Sequence, residues 1–274
     1  MSYRTGVIYF LAVIAAHAAG HPDVHSIVQL SVQANQKDWD AAPQYDYTER
    51  SRDKNGGTRT YEAEMLDGSP YQRLIAENGT PLPPGRQKEE QQKQAGELAR
   101  RRAESGEARA QRVGKFQADR KRDHLLMEQL TAGMNFTFLR EEQLGAYKCY
   151  VLRATPRPGY RPPNTESQVL TGMRGRLWID EDSKQWVKVQ ASVMSPVSIE
   201  GFLARVEPGT RFELEKRPVG GGLWFKSHFS MAARTKILLV FTYRSQEEDW
   251  YSSYRPAGSP SPTSTASSHN TAHR

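Results

Sequence analysis

Seven histidines and one cysteine are the residues of this 274-residue chain that could most readily hold a metal ion or form a nucleophile. His21 and His25 stand one helical turn apart and could share a metal weakly, but solvent-facing side chains are the simpler interpretation. No His-Glu-x-x-His, Cys-x-x-Cys, Gly-x-Ser-x-Gly or P-loop pattern occurs. Asp180, Glu181 and Asp182 form an acidic turn that lacks the spacing of a calcium loop. The sequence therefore predicts no catalytic residue, no metal ligand and no cofactor, and we do not expect an enzyme.

Cys149, the only cysteine, lies in the middle of a predicted strand. A reactive thiolate needs an adjacent base or cation that lowers its pKa, and no local pattern supplies one. A chain with one cysteine also cannot form an intrachain disulfide, so its stability must come from its core. We therefore expect a buried, structural thiol.

Strands must position any site that the chain contains, because polar and apolar residues alternate along much of the sequence. Alternation with a period of two is typical of strands that bury one face. The clearest example is the pair Gly175–Asp180 and Gln185–Val193, which flanks the acidic turn. Comparable runs predict eight more strands: Tyr45–Arg50, Thr58–Leu66, Tyr71–Ala76, Met134–Leu139, Ala146–Thr155, Gly209–Lys216, Leu223–Met231 and Lys236–Arg244. The predicted fold class is mainly β with α, as a curved antiparallel half-barrel of about ten strands.

The segment 86–123 differs from the rest, because it contains 12 Lys/Arg and 7 Asp/Glu residues and few apolar ones. Good helix formers dominate it, which predicts a long solvated helix or a helical pair that is broken near Ser105–Gly106 or Gly114. We expect the whole insertion, 86–130, to cover or flank the concave face of the sheet. Its basic residues could instead contact an anionic membrane surface or an acidic envelope protein. Interspersed glutamates and scarce aromatic residues argue against nucleic acid as a partner.

The two ends of the chain predict export and a polar tail. Residues 1–20 are typical of a secretory signal peptide, with Arg4, the apolar run Val7–Ala16 and a small-x-small cleavage site. A single domain is expected over 21–255, with an N-terminal helix near 21–42. The Ser/Thr/Pro/Gly-rich residues 256–274 are predicted to be disordered. The expected compartment is periplasmic or extracellular, where the net charge of +7 favours anionic partners.

Apolar side chains that face one way along the predicted strands could line a cavity. The residues predicted to do so are Tyr61, Met65, Phe136, Phe138, Val187, Val189, Phe212, Leu214, Phe225, Phe229, Leu239 and Phe241. A cavity of this composition suits an acyl chain or another lipid. The alternative is that the same side chains and the helices fill the core completely.

One hairpin resembles a known family. The strand Met173–Asp180, followed by Gln185–Gln190, is similar to the Trp-Ile-Asp hairpin of the outer-membrane lipoprotein-sorting family, which comprises periplasmic carriers of the LolA/LolB type and their relatives. The resemblance implies an open antiparallel half-barrel, covered by helices, with a cavity for a lipid or a lipidated protein. We expect a monomer. The alternative function is an envelope interaction or sensor module with a filled core, which binds a protein partner through its basic helical arm.

Overall fold

The computed structural model describes residues 22–199, 204–237 and 241–259. In these ranges thirteen strands form one antiparallel, half-barrel-like sheet that does not close. The strands are β1 (Tyr45–Arg52), β2 (Thr58–Leu66), β3 (Ser69–Glu77), β4 (Thr80–Pro81), β5 (Met134–Leu144), β6 (Tyr147–Pro156), β7 (Met173–Asp180), β8 (Trp186–Val193), β9 (Val197–Ser198), β10 (Ala204–Val206), β11 (Arg211–Gly220), β12 (Leu223–Ile237) and β13 (Phe241–Pro256). Their spatial order is β4-β3-β2-β1-β13-β12-β11-β8-β7-β6-β5, with β10 paired to β12 and to β9. The predicted fold class is confirmed.

Four helices accompany the sheet: α1 (Val24–Ala41), α2 (Pro84–Arg102), α3 (Gly106–Glu128) and α4 (Leu130–Gly133). Two short 3₁₀ helices span Ala42–Gln44 and Glu166–Gly172. The side chain of Ser105 accepts a hydrogen bond from the Ala108 N–H and so caps α3. The break in the insertion therefore lies at the first of the two predicted positions, and Gly114 lies within α3. None of the described helices is long and apolar enough to cross a membrane.

One predicted strand is wrong. The run Lys236–Arg244 does not form a single strand, because β12 ends at Ile237 and β13 begins at Phe241, and these two residues pair with each other. The apolar run therefore contains a chain reversal, and β13 continues far beyond it, to Pro256. The strands β4, β9 and β10 were not predicted, since two or three residues are too few to display a period. The predicted signal peptide and the residues of the tail from 260 onward lie outside the described residues.

The main core lies between the sheet and α1, on the side that we call the α1 face. Ile27 and Val28 of α1 are buried against Leu152 of β6 and Ile179 of β7, together with residues of α3 and α4. On the opposite face a second cluster contains Cys149, Val151, Trp178, Val187 and Trp224. Both faces of the central strands are therefore covered by apolar side chains.

A β-bulge in β8 places Val187 on the opposite face rather than with Val189. Trp178 pairs with Lys188 but Ile179 pairs with Trp186, so Val187 is an extra residue in the ladder. Beyond a bulge the alternation of side chains is shifted by one residue. As a result Trp186 and Val189 join the core on the α1 face, whereas Val187 packs in the second cluster.

The helical insertion is anchored to the turn between β2 and β3, and is not the free solvated arm that its composition suggested. Arg101 is buried and donates hydrogen bonds from Nη1 to the carbonyl oxygens of Leu66 (2.6 Å) and Ser69 (2.8 Å). Arg112 donates to Ser69 Oγ (2.7 Å) and forms a two-pronged contact with the carboxylate of Glu104 (2.8 and 3.0 Å). Two arginine side chains thus donate hydrogen bonds to oxygen atoms of this turn.

The two insertion helices reach different faces of the sheet. Gln94 of α2 donates a hydrogen bond to Glu64, while Phe116 of α3 lies near Met65 on the cavity described below. Because neighbouring residues of a strand point to opposite faces, Glu64 and Met65 mark the two sides. The prediction that the insertion covers the concave face therefore applies to α3, whereas α2 lies against the other side.

Candidate functional site

The most prominent feature of the α1 face is a cavity of about 430 Å³. It lies between the C-terminal part of α1, the middle of α3 and the sheet. Aromatic rings form most of its wall: Trp39, Tyr45, Tyr47, Phe116, Phe225, Tyr251 and Tyr254. Met65, Met127 and Leu214 contribute aliphatic surface. The volume and the lining are those of a site for a small apolar ligand.

The aromatic rings on the sheet side contact one another in series. The centroid of Phe225 lies 4.9 Å from that of Tyr45 and 5.0 Å from that of Tyr254, and Tyr47 lies 5.5 Å from Tyr254. Burial, followed by the charge of a nearby glutamate, raises the pKa of Tyr47 to about 12. Burial also raises the pKa of Tyr251 and Tyr254. These hydroxyls therefore remain protonated at neutral pH and add polarity without charge.

Cationic side chains flank the aromatic wall. The guanidinium of Arg120 lies over the ring of Trp39, 4.3 Å from its centroid, and Lys226 Nζ lies 4.5 Å from the centroid of Tyr251. The imidazole of His124 also stacks on the ring of Trp39, with centroids 4.5 Å apart, and its Nε2 lies 2.7 Å from Gln36 Oε1. Burial lowers the pKa of His124, so this imidazole is neutral at pH 7.

A buried ion pair closes one side of the cavity. Lys216 of β11 donates hydrogen bonds to the carboxylate of Asp38 and to Asn35 Oδ1 (2.7 Å), both on α1. Asp38 also accepts from Gln185 Nε2 (3.2 Å) and from the Trp224 N–H (3.0 Å). Burial lowers the pKa of Lys216, and the charge of Asp38 opposes that shift. The network fixes the end of α1 to β11, to β12 and to the residue that precedes β8, and so defines the position of Trp39.

Three of the side chains predicted to line a cavity do so. Met65, Leu214 and Phe225 lie on its wall. Tyr61 and Phe229 are half-buried in the same region of the sheet, where Tyr61 pairs with Glu49 and Phe229 pairs with Leu214. The ligand-binding role of all five remains a prediction.

Most of the other predicted lining residues lie elsewhere. Phe136, Phe138, Val189 and Phe212 pack in the main core against α1, α3 and α4, and so fill space rather than line it. Val187 lies on the opposite face because of the bulge. The structure does not describe Leu239 or the side chain of Phe241.

Several wall residues were missed from the sequence. Trp39 and Arg120 belong to helices, and only the tertiary structure shows that these helices meet over the sheet. Tyr251 and Tyr254 belong to the second half of β13, where charged residues interrupt the alternation. The aromatic residues of 250–254 were the available signal, since tyrosine and tryptophan are enriched in strands.

Two observations concern metal binding and thiol chemistry. Across them, no group of three or more His, Cys, Asp and Glu side chains is placed to hold a metal ion. Burial, followed by the charge of Asp180, raises the pKa of the Cys149 thiol to about 12, so it is not a thiolate at neutral pH.

Comparison with known proteins concerns the fold. No family model and no curated protein matches the chain. Three solved structures are similar to it: a DUF1329 family protein from Desulfovibrio piger (12% identity, TM-score 0.34, 87% of this chain and 95% of that one), a putative outer membrane lipoprotein-sorting protein domain from Vibrio parahaemolyticus (11%, 0.33, 86% and 96%) and a LolA superfamily protein from Nitrosomonas europaea (11%, 0.31, 86% and 94%). The likeness to these structures, at 11–12% identity, is one of fold alone.

Proposed function

We propose that this chain is a non-enzymatic binding protein of the cell envelope that holds an acyl chain in the aromatic cavity. The observation that supports the proposal most directly is the cavity itself, about 430 Å³ of space that α1 and α3 enclose against the sheet. Binding sites for small ligands measure roughly 300–1,000 Å³ and are lined mainly by apolar and aromatic side chains. The lipid, or the lipid part of a lipidated protein, would be the partner.

Aliphatic chains suit this wall better than compact polar ligands do. Each buried methylene contributes about 0.8 kcal/mol, which corresponds to roughly a fourfold change in dissociation constant. Association also costs several kcal/mol of translational, rotational and side-chain freedom. Affinity should therefore rise with chain length until the cavity is filled, and then stop rising.

The alternative, a module that binds a protein through a basic arm, has less support. Arg101 and Arg112 contact the β2–β3 turn, and Arg100 pairs with Glu97 and Glu104 within the insertion. These cations already have partners within the chain. They do not form a free basic surface.

A chain-length series tests the proposal. Titration calorimetry with saturated fatty acids of 8, 10, 12 and 14 carbons should give dissociation constants that fall by roughly fourfold per methylene and then level off. Met65→Trp places a larger ring on the cavity wall and should weaken binding by about tenfold, as a loss of roughly two methylenes would. Met194→Trp is the matched control, because Met194 is 57% exposed and lies outside the cavity wall.

Two results would refute the proposal. One is the absence of binding for every chain length. The other is equal binding by Met65→Trp, Met194→Trp and the unaltered protein, because a ligand elsewhere on the surface would not respond to a ring inside the cavity. Lipid extraction and native mass spectrometry of protein purified from its own host would independently identify a bound chain.

A further inference from the structure

We infer that the ligand of this cavity carries an anionic head group, a carboxylate or a phosphate, and that Arg120 binds this group. The inference rests on the proposed acyl-binding function and adds the chemical class of the ligand. It depends on three observations: the position of Arg120, its unused hydrogen-bond donors, and the balance of charge around the cavity.

Arg120 is held in place on the cavity wall before any ligand arrives. It extends from α3, with its guanidinium stacked on Trp39 at 4.3 Å and 5.8 Å from the centroid of Phe116. Its Nη2 donates to the carbonyl oxygen of Trp39 and its Nη1 donates to Gln117 Oε1 (3.0 Å). A stacked guanidinium loses less conformational freedom when it binds a ligand, which favours affinity.

Most hydrogen-bond donors of Arg120 remain available. A guanidinium presents five N–H groups in a planar fork, and two of them are engaged by the described residues. The remaining donors include Nε–H, which with a neighbouring Nη–H forms the edge that binds a carboxylate or phosphate through two parallel hydrogen bonds.

Arg120 also differs from the other arginines of its helix in having no carboxylate partner among the described side chains. The other arginines of α3, Arg109, Arg112 and Arg122, each lie within 4 Å of a carboxylate. Among the described side chains Arg120 has no such ion pair. Burial lowers its pKa, and the charge of Asp40 opposes this only in part. A partly buried guanidinium whose hydrogen bonds go only to neutral oxygens is stabilised further by an anion.

The other cations of the cavity wall differ from Arg120. Lys216 is bound to Asp38, which is the only carboxylate among the described residues of the wall. Lys226 is exposed to solvent and lies close enough to Glu49 to lower the pKa of that carboxyl, which burial raises. Burial lowers the pKa of His124, which favours its neutral form. Arg120 is therefore the half-buried cation of the wall that has no carboxylate within 4 Å among the described side chains, and it favours an anionic head group over a neutral or cationic one.

The test compares ligands that share one chain and differ in the head group. Decanoate, decyl phosphate and decanol are titrated into the full chain at pH 7.5 by calorimetry. The unaltered protein should bind both anions roughly tenfold more tightly than decanol, the effect expected of a charge-assisted hydrogen bond. A stronger preference for decanoate would indicate a fatty acid as the natural ligand, and one for decyl phosphate would indicate a phospholipid head group. Either preference supports the inference.

Variants assign the preference to one side chain. Arg120→Gln should lose most of the preference for the anions, measured as the ratio of the dissociation constants of decanol and of each anion in the same variant. Arg120→Lys, which keeps the charge but not the planar fork, should keep part of the preference for the anions over decanol. Arg122→Gln is the matched control, since Arg122 lies two residues away on the same helix, is exposed and pairs with Asp119. Circular dichroism and thermal melting confirm that each variant is folded.

The outcomes separate this inference from the proposed function. If the unaltered protein binds decanol as tightly as decanoate, the anionic head group is refuted and acyl binding stands. If the preference persists in Arg120→Gln, Arg120 is not the residue that binds it, and the inference fails. If none of the three ligands binds, the proposed function fails, and this inference fails with it.

Discussion

The buried ion pair between Lys216 and Asp38 provides the sharpest test of how this fold is held together. Both side chains are almost fully buried, with 7% and 4% of their surface exposed. Replacement of Lys216 by Met keeps the unbranched shape and most of the length of the side chain but removes the cation. Asp38 then retains only the hydrogen bonds from Gln185 and Trp224. A buried carboxylate is left without a counter-charge.

The expected cost follows from that uncompensated charge. Removal of one partner of a buried ion pair lowers the free energy of unfolding by about 3–5 kcal/mol. Domains of this kind are stable by roughly 5–15 kcal/mol in total, so the loss is a large fraction. For a domain of this size, 1 kcal/mol corresponds to about 2–4 °C in melting temperature. The Lys216→Met variant should therefore melt roughly 6–20 °C below the unaltered protein.

The pH dependence of a second variant tests the buried cation separately. In Asp38→Asn the buried Lys216 is left alone, and its pKa, which burial already lowers, falls further. The unfolded lysine then binds more protons than the folded one up to about pH 10. The loss in free energy of unfolding, relative to the unaltered protein, therefore shrinks in this variant as the pH rises.

Urea unfolding, followed by tryptophan fluorescence and circular dichroism between pH 5 and 9, measures both effects. Lys226→Met is the matched control, because Lys226 pairs with Lys216 in the ladder, is exposed and should lose at most about 1 kcal/mol with its cation–π contact. A loss below about 1 kcal/mol for Lys216→Met, or a loss for Asp38→Asn that grows as the pH rises, would refute the reasoning.

Three further predictions concern other parts of the molecule. Arg101→Met should lower the free energy of unfolding by about 1–3 kcal/mol, because it leaves three carbonyl oxygens of the β2–β3 turn without their donor; an unchanged urea midpoint would contradict this. The thiol of Cys149, whose pKa is raised to about 12, should react with Ellman's reagent at pH 8 only as the protein unfolds, and rapid labelling of the native protein would show otherwise. In Gly172→Ala the new Cβ would clash with Val197 Cγ2 and lie 2.7 Å from the Ser195 carbonyl oxygen, so the variant should lose about 1–3 kcal/mol by thermal melting, and an equal melting temperature would count against the packing argument.

Strand positions could be predicted wherever a strand buries one face, because polar and apolar residues then alternate along it. β2, β7 and β8 begin and end within two residues of their predicted bounds. The prediction failed at Lys236–Arg244, because a reversal inside an apolar run leaves the local pattern unchanged. It also failed at Val187, because a bulge is a property of two paired strands and cannot be seen in one of them.

The candidate site was harder to predict than the sheet. Three predicted residues, Met65, Leu214 and Phe225, lie on the cavity wall, since strand alternation indicates which side chains share a face. It does not indicate where along that face the helices leave space. Phe136 and Phe212 share the face but lie beneath helices that fill it.

By itself, the sequence determined the class of the fold, the helical insertion, a break in it near Ser105 or Gly114, and the absence of a reactive thiol pattern at Cys149. Each of these depends on residues close together in the chain, through periodicity, capping or local charge. Only the tertiary structure decided that α3 crosses the sheet, that Lys216 meets Asp38 of α1 across 178 positions, and that Trp39 and Arg120 stack at one cavity. The physical reason is that the energies involved, burial of an ion pair and enclosure of apolar space, arise between segments whose separation in sequence bears no relation to their distance in space.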